Sequence, residues 1–141
     1  MSAEKLFSLC SLMATIGWLL LILLPRRRWV STIVSGRVIP LLLAGIYLAL
    51  LATRWGKSSG GFGSLAGVAA LFSNQWILLA GWIHYLAFDL FIGSWEVRDA
   101  EEQKIPHWLV IPCLALTFLF GPVGLLTYFA LRSLMMKLRP N

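Results

Sequence analysis

Three long apolar stretches constrain this chain more than anything else in it. Leu6 to Leu24 is a nearly continuous apolar run ended by Pro25 and by Arg26, Arg27 and Arg28. Its length is close to the ~20 residues that cross a hydrocarbon core. Val38 to Ala52 and Trp76 to Ile92 repeat the pattern, and a broken fourth stretch extends from Trp108 to Leu131. Hydrophobic residues make up 59% of the 141 residues and mean hydropathy is +0.80, where a soluble domain has about 45–50% apolar residues. The expectation is an all-α membrane protein, a four-transmembrane-helix bundle forming one domain over 1–141. The spans are expected at about 6–24, 38–53, 75–92 and 107–131.

The net charge of +6 sits mostly beside the apolar runs. It reads as snorkelling and orientation signals, with no nucleic-acid surface. Positive charge follows the first run and no small-residue cleavage site appears, so that run is expected to be retained and not removed as a signal peptide. Trp29 to Arg37 reads as a connector, Arg54 to Ser64 as a flexible Gly/Ser loop, and Ser94 to Pro106 as an acidic connector. The loop RWGKSSGGFGS lacks the strand and spacing of a phosphate-binding loop. Pro112 is expected to kink the last stretch, and Gly121–Pro122 to bend or break it. Cys10 and Cys113 form no CxxC pair and read as small buried residues.

Four spans would place both chain ends on one side, with Lys5, Arg54, Lys57, Arg132, Lys137 and Arg139. Arg26, Arg27, Arg28, Arg37, Arg98 and Lys104 lie on the other. The two sides tie, and only the density of the arginine cluster favours its side as cytoplasmic.

Against this apolar background the segment Gly81 to His107 stands out. Ionisable groups at membrane depth are costly and face a protein interior or a cavity. With His84 at zero on a helical wheel, Asp99 falls at roughly 60°, Tyr85 at roughly 100°, Glu96 at roughly 120° and Asp89 at roughly 140°. Leu79, Ile83, Leu86, Ala87 and Leu90 occupy roughly 200° to 300°, a face suited to lipid. The arrangement requires a helix that continues through Gly93, a poor helix former.

Carboxyl groups and histidines on one arc suit acid–base chemistry. A carboxyl group in a low-dielectric setting resists ionisation and can donate a proton. Asp89, the deepest, is the candidate acid; Glu96 and Asp99, nearer water, are candidate ionised partners. His84 and His107 can accept or relay a proton. Each also has a structural reading, as an ion-pair partner, a cap or a packing group. No His–carboxylate pair at i, i+3 or i, i+4 appears, so no metal site is expected. Trp82, Tyr85, Phe88, Trp95 and Trp108 can line a groove for a flat isoprenoid or serve as interfacial anchors.

These residues carry a resemblance. WIHYLAFDLFIGSWEVRDA (Trp82 to Ala100) and IPHWLVIPCLALTFLFGPVGLLTYFALR (Ile105 to Arg132) resemble the ABA-deficient-four-like membrane proteins. The first two spans resemble them in pattern. The resemblance implies a role in neoxanthin formation from violaxanthin, the isomerisation of a 5,6-epoxide to an allenic alcohol, for which no cofactor is needed. With the first span so near the start of the sequence, no plastid-type leader is expected. A bacterial relative in the inner or a photosynthetic membrane is therefore expected. The partners implied are membrane lipid, a carotenoid or other isoprenoid, and a second copy or a carotenoid enzyme. Two other readings are compatible with the same residues: a non-catalytic isoprenoid-binding subunit, and a small proton-coupled transporter or assembly protein using His84 and Asp89 as a relay.

Overall fold

One helix, α4 (Gln75–Glu102), is packed against every other α-helix among the described residues. The computed structural model describes residues 2–138, and no strand occurs among them. Arg139 and the other end residues of the expected domain lie outside that range. The remaining helices are α1 (Ala3–Leu23), α2 (Ile39–Arg54), α3 (Leu65–Phe72), α5 (His107–Phe120) and α6 (Pro122–Lys137). A wide π-helical segment, Val30–Val38, leads without a break into α2. Three helical units are long and apolar enough to cross a membrane: Ala3–Leu23, Val30–Arg54 and Gln75–Glu102.

Helix starts follow local chemistry. Ser2, Ser64 and Asn74 cap α1, α3 and α4 by accepting from the backbone N–H groups of Lys5, Gly67 and Trp76. Such side-chain oxygens satisfy donors that a helix start leaves without partners. At its other end α4 closes with the bonds Ile105 N–H to Ala100 O (2.8 Å) and Lys104 N–H to Glu101 O (3.1 Å). This is a Schellman cap. Lys104 holds its left-handed position, with φ 53°.

α4 does not stop at Gly93. The missing side chain there receives the ring of Trp18 from α1, and close approach at small residues is how helices pack within a bilayer. Ser94 to Glu102, read above as a connector, is therefore helix. The stretch Trp29 to Arg37, also read as a connector, is helical throughout. The Pro40 ring crowds the carbonyl of Gly36 four residues earlier, and the turns before it are π-wide. The Arg98 guanidinium donates to Ser31 O, in space that any side chain at Gly36 would take. Ser35 Oγ donates to Gly17 O at 2.9 Å. The second unit thus runs from Val30 to Arg54 rather than from 38 to 53.

Cross-contacts set the directions. Glu4 meets Gln75, Ser11 meets Trp82, and Trp18 meets Gly93, so α1 runs parallel to α4. Ser31 meets Arg98, Tyr47 meets His84, and Arg54 lies 4.3 Å over the Trp76 ring, so α2 runs antiparallel to it.

The final stretch is not one continuous helix over 107–131. It continues through Pro112 but reverses at Gly121, where φ is +36°. α6 packs back along α5, with Gly124 against Thr117. Phe118 and Gly121 lie beside Tyr85 and Asp89, while Tyr128 and Arg132 lie beside Asp99. From Asp89 to Asp99 and from Pro122 to Arg132 the chain takes equal steps of ten residues, about 15 Å each. α5 and α6 are therefore antiparallel arms of a helical hairpin. Their 14 and 16 residues give roughly 21 Å and 24 Å, each short of the ~30 Å hydrocarbon thickness.

The lipid-facing assignment of α4 is reversed as well. Ile83 and Leu90 are fully buried, and Leu79, Leu86 and Ala87 lie with them in the core. A helical wheel separates two faces but does not say what covers either. Here α1 and α2 cover the apolar face and the hairpin covers the polar one.

Candidate functional site

Tyr85, Asp89, Glu96 and Asp99 form one row on α4. Counted from Tyr85 they fall at 0°, about 40°, about 20° and about −40°, within less than a quarter turn. The row faces the α5–α6 hairpin, and each member meets a different level of it.

At the tip, the Tyr85 hydroxyl donates to Phe118 O at 2.6 Å, and Tyr85 lies beside the Asp89 carboxyl group. α5 ends here with carbonyls that its own ladder cannot satisfy, and Tyr85 answers one of them. Asp89 packs against Gly121, where a Cβ would stand 2.9 Å from Asp89 Oδ1. Its carboxyl group thereby faces the start of α6, the positive end of that helix dipole. Asp89 Oδ2 is buried and has no hydrogen-bond partner.

In the middle of the row, Glu96 is completely buried. Thr117 donates to Glu96 Oε1 at 2.9 Å, whereas Oε2 has no partner. This reverses the expected order of depth, in which Asp89 was inner and Glu96 outer. Position along a span and burial within protein are separate coordinates, and the hairpin seals Glu96 in.

At the open end of the hairpin, Asp99 Oδ2 accepts from Tyr128 OH at 2.6 Å and from Arg132 Nε at 2.8 Å. Asp99 and Arg132 form an ion pair with 12% and 28% side-chain exposure. Trp95 stands edge-on to Tyr128 and beside Phe129. Outside the row, Arg28 pairs with Glu101 at 3.1 Å.

The histidines do not join this row. His84 is exposed and stacks on Phe88 at 4.6 Å, with Tyr47 of α2 nearby. His107 lies at the start of α5, its Nε2 3.1 Å from Ile22 O, the C-terminal end of α1. The five expected acid–base residues thus separate into three places. Asp89, Glu96 and Asp99 share the hairpin face, His84 faces outward on the α2 side, and His107 ties α5 to α1.

The aromatic set divides too. Trp82 and Tyr85 stack at 5.3 Å and line one cavity of about 380 Å³ with Ser11, Thr15 and Phe118. Phe88 lies with His84, Trp95 packs on α6, and Trp108 lines a separate cavity beside Pro25, Arg26 and His107. Among the described residues no three His, Cys, Asp or Glu side chains stand together as a metal site. Cys10 and Cys113 are free and buried.

Thr117, Tyr128 and Arg132 were not singled out from sequence. They enter only because the hairpin turns back. The available signal was Gly121–Pro122 followed by Gly124: a breaker, then a small residue where a returning arm can press against Thr117.

The family described as ABA DEFICIENT 4-like matches residues 5–128, which contain the whole row and the hairpin tip. Protein ABA DEFICIENT 4, chloroplastic, from Arabidopsis thaliana is 26% identical over 123 residues, covering 82% of this chain and 54% of that protein. The chain thus spans about half the length of the curated relative it matches. No solved structure matches the chain.

Proposed function

This chain belongs to the ABA DEFICIENT 4-like family, and on that premise we propose that it isomerises a carotenoid-type epoxide to an allenic alcohol within the membrane. The observation that carries the reading is the pair Asp89 and Glu96. Each has a buried carboxylate oxygen without a partner, and both lie on one face of one helix. An unsatisfied buried carboxylate oxygen costs stability, and such costs concentrate where a protein does chemistry.

The reaction needs an acid and a base in fixed positions. Glu96, the completely buried carboxyl group, gives its proton to the epoxide oxygen, and the C–O bond to the carbon bearing the polyene breaks. Asp89, which faces the positive end of the α6 dipole, removes the vinylic proton next to that carbon. The electrons of that C–H bond form the new double bond of the allene, and the oxygen stays as a hydroxyl group. Atoms and electrons balance without a redox partner. Asp89 and Glu96 are two helical turns apart, about 10.5 Å along the axis. Thr117 and Tyr85 are positioning residues, and Asp99 anchors the hairpin. His84 and His107 stand outside this step.

We place the chain in a bacterial inner or photosynthetic membrane as one domain, with Ala3–Leu23, Val30–Arg54 and Gln75–Glu102 crossing and α5–α6 re-entrant. Irregular backbone at membrane depth is tolerated where protein buries it, as at the buried Gly121. Arg132 and Lys137 then join Arg26, Arg27, Arg28, Arg37, Arg98 and Lys104, leaving Lys5, Arg54 and Lys57 opposite. The charge tie is broken, and the positive-inside rule puts the C-terminal end of α6 in the cytoplasm and the start of α1 outside.

A second reading is a non-catalytic isoprenoid-binding subunit. It draws on the seat that Tyr85 and Asp89 provide for the hairpin tip, which gives Asp89 a structural task. Pigment analysis of a violaxanthin-producing host separates the two. Expression of the chain should yield a new allenic xanthophyll that disappears with Asp89→Asn. Unchanged pigments with carotenoid bound to the purified protein would support the subunit reading instead.

A further inference from the structure

We infer that the seam between α1 and α4 is the binding groove for the linear isoprenoid chain of the substrate, and that Ser11 and Thr15 set the space available to it. The inference rests on the proposed isomerase reading and deepens it. Two cavities adjoin at Trp82. One, of about 300 Å³, lies between Phe7 and Leu78 and ends at Glu4 and Gln75. The other, of about 380 Å³, runs past Ser11 and Thr15 to Tyr85 and Phe118. Tyr85 lines this cavity and lies beside Asp89, so the inner end reaches the neighbour of that carboxyl group.

The lining defines the occupant. Phe7, Trp82 and Tyr85 form an aromatic ladder with centroid separations of 5.5 Å and 5.3 Å. Its polar groups are already engaged: Trp82 Nε1 donates to Ser11 Oγ at 3.1 Å, and Thr15 Oγ1 donates to Ser11 O at 2.8 Å. An occupant of the central part therefore needs no hydrogen-bonding groups. From Ala3 to Thr15 the groove follows α1 for about 18 Å, a length suited to an extended chain rather than a compact ring. Phe7 is 40% exposed and Trp82 39%, so the groove opens sideways, toward lipid in the proposed placement. Further polar groups stand at the ends: the Glu4–Gln75 pair at 3.4 Å, and Tyr85, whose hydroxyl donates to Phe118 O. An extended isoprenoid polyene with an oxygenated end group matches this distribution.

The probe is all-trans-retinol added to the full chain in phosphatidylcholine nanodiscs, read by energy transfer from tryptophan. Saturable transfer is expected, weakened at least tenfold by Ser11→Phe and by Thr15→Phe. Leu12→Phe, one residue along and facing outward with 57% exposure, should leave it unchanged. Thr15 is exposed and tolerates bulk if Ser11→Phe fails to fold. Transfer that rises without saturation, or that both groove variants leave intact, would overturn the groove. Asp89→Asn separates this from the isomerase reading. That variant should still bind retinol while losing product. Binding by the wild-type chain without any pigment change would sink the isomerase and leave the groove standing.

Discussion

Asp99 and Asp89 are ten residues apart on the same face of the same helix, yet their surroundings differ in kind. Asp99 takes a tyrosine hydroxyl and a guanidinium on one oxygen. Asp89 faces a glycine and the start of a helix and keeps a buried oxygen without a partner. Glu96 stands between them with one oxygen bonded and one free. A carboxylate held by a hydroxyl and an ion pair ties an architecture together. An unsaturated one is tolerated because the surrounding structure over-determines it, and it remains available for proton transfer. The open end of the hairpin therefore reads as an anchor and the tip as the reactive end.

The strongest way to break this contrast is to neutralise each carboxylate. Asp89→Asn should lower product formation at least ~100-fold, the range for losing one acid–base group, and change stability by about 1 kcal/mol or less. Asp99→Asn should do the reverse, costing about 2 kcal/mol, since a partly exposed pair contributes less than a fully buried one, while a folded fraction keeps most activity. Pigment yield and unfolding of the purified variants measure both. Equal activity losses in the two would erase the distinction between anchor and reactive end.

Gly121→Ala tests the tip by another route. The positive φ costs a side chain about 1–2 kcal/mol, and the new Cβ would press on Asp89 Oδ1. Product should fall with stability here, unlike in Asp89→Asn. Thr117→Val sharpens the intermediate case. It removes the one donor to Glu96 and should cost about 1 kcal/mol, with a smaller loss of activity than Asp89→Asn.

The smallest effect is expected outside the contrast. Lys104→Gly relieves a left-handed lysine at the α4 cap but frees the unfolded chain. The net change should be within about 1 kcal/mol, and pigment yield should not move.

Much of this was legible in the residues. Apolar runs of membrane length can only be helices, because lipid offers no partners to the backbone. The row Tyr85, Asp89, Glu96 and Asp99 follows from helical periodicity once α4 continues through Gly93. The break at Gly121–Pro122 was visible as a break. Two connectors were misread because Ser, Gly and charged residues at 30–37 and 94–102 resemble loop composition, whereas buried contacts such as Arg98 to Ser31 keep both stretches helical.

What the sequence determined by itself is local: where helices form, which residues share a face, and that ionisable groups interrupt an apolar run. Those are properties of one helix and its period. What only the tertiary structure decided is relational. A Gly–Pro step permits either a kink or a reversal, and the reversal follows from the Thr117–Gly124 contact between arms. That reversal brings Tyr128 and Arg132 to Asp99, seals Glu96 inside, and leaves Asp89 against the hairpin tip. No periodicity encodes it, because it depends on which surfaces meet once separate helices are packed.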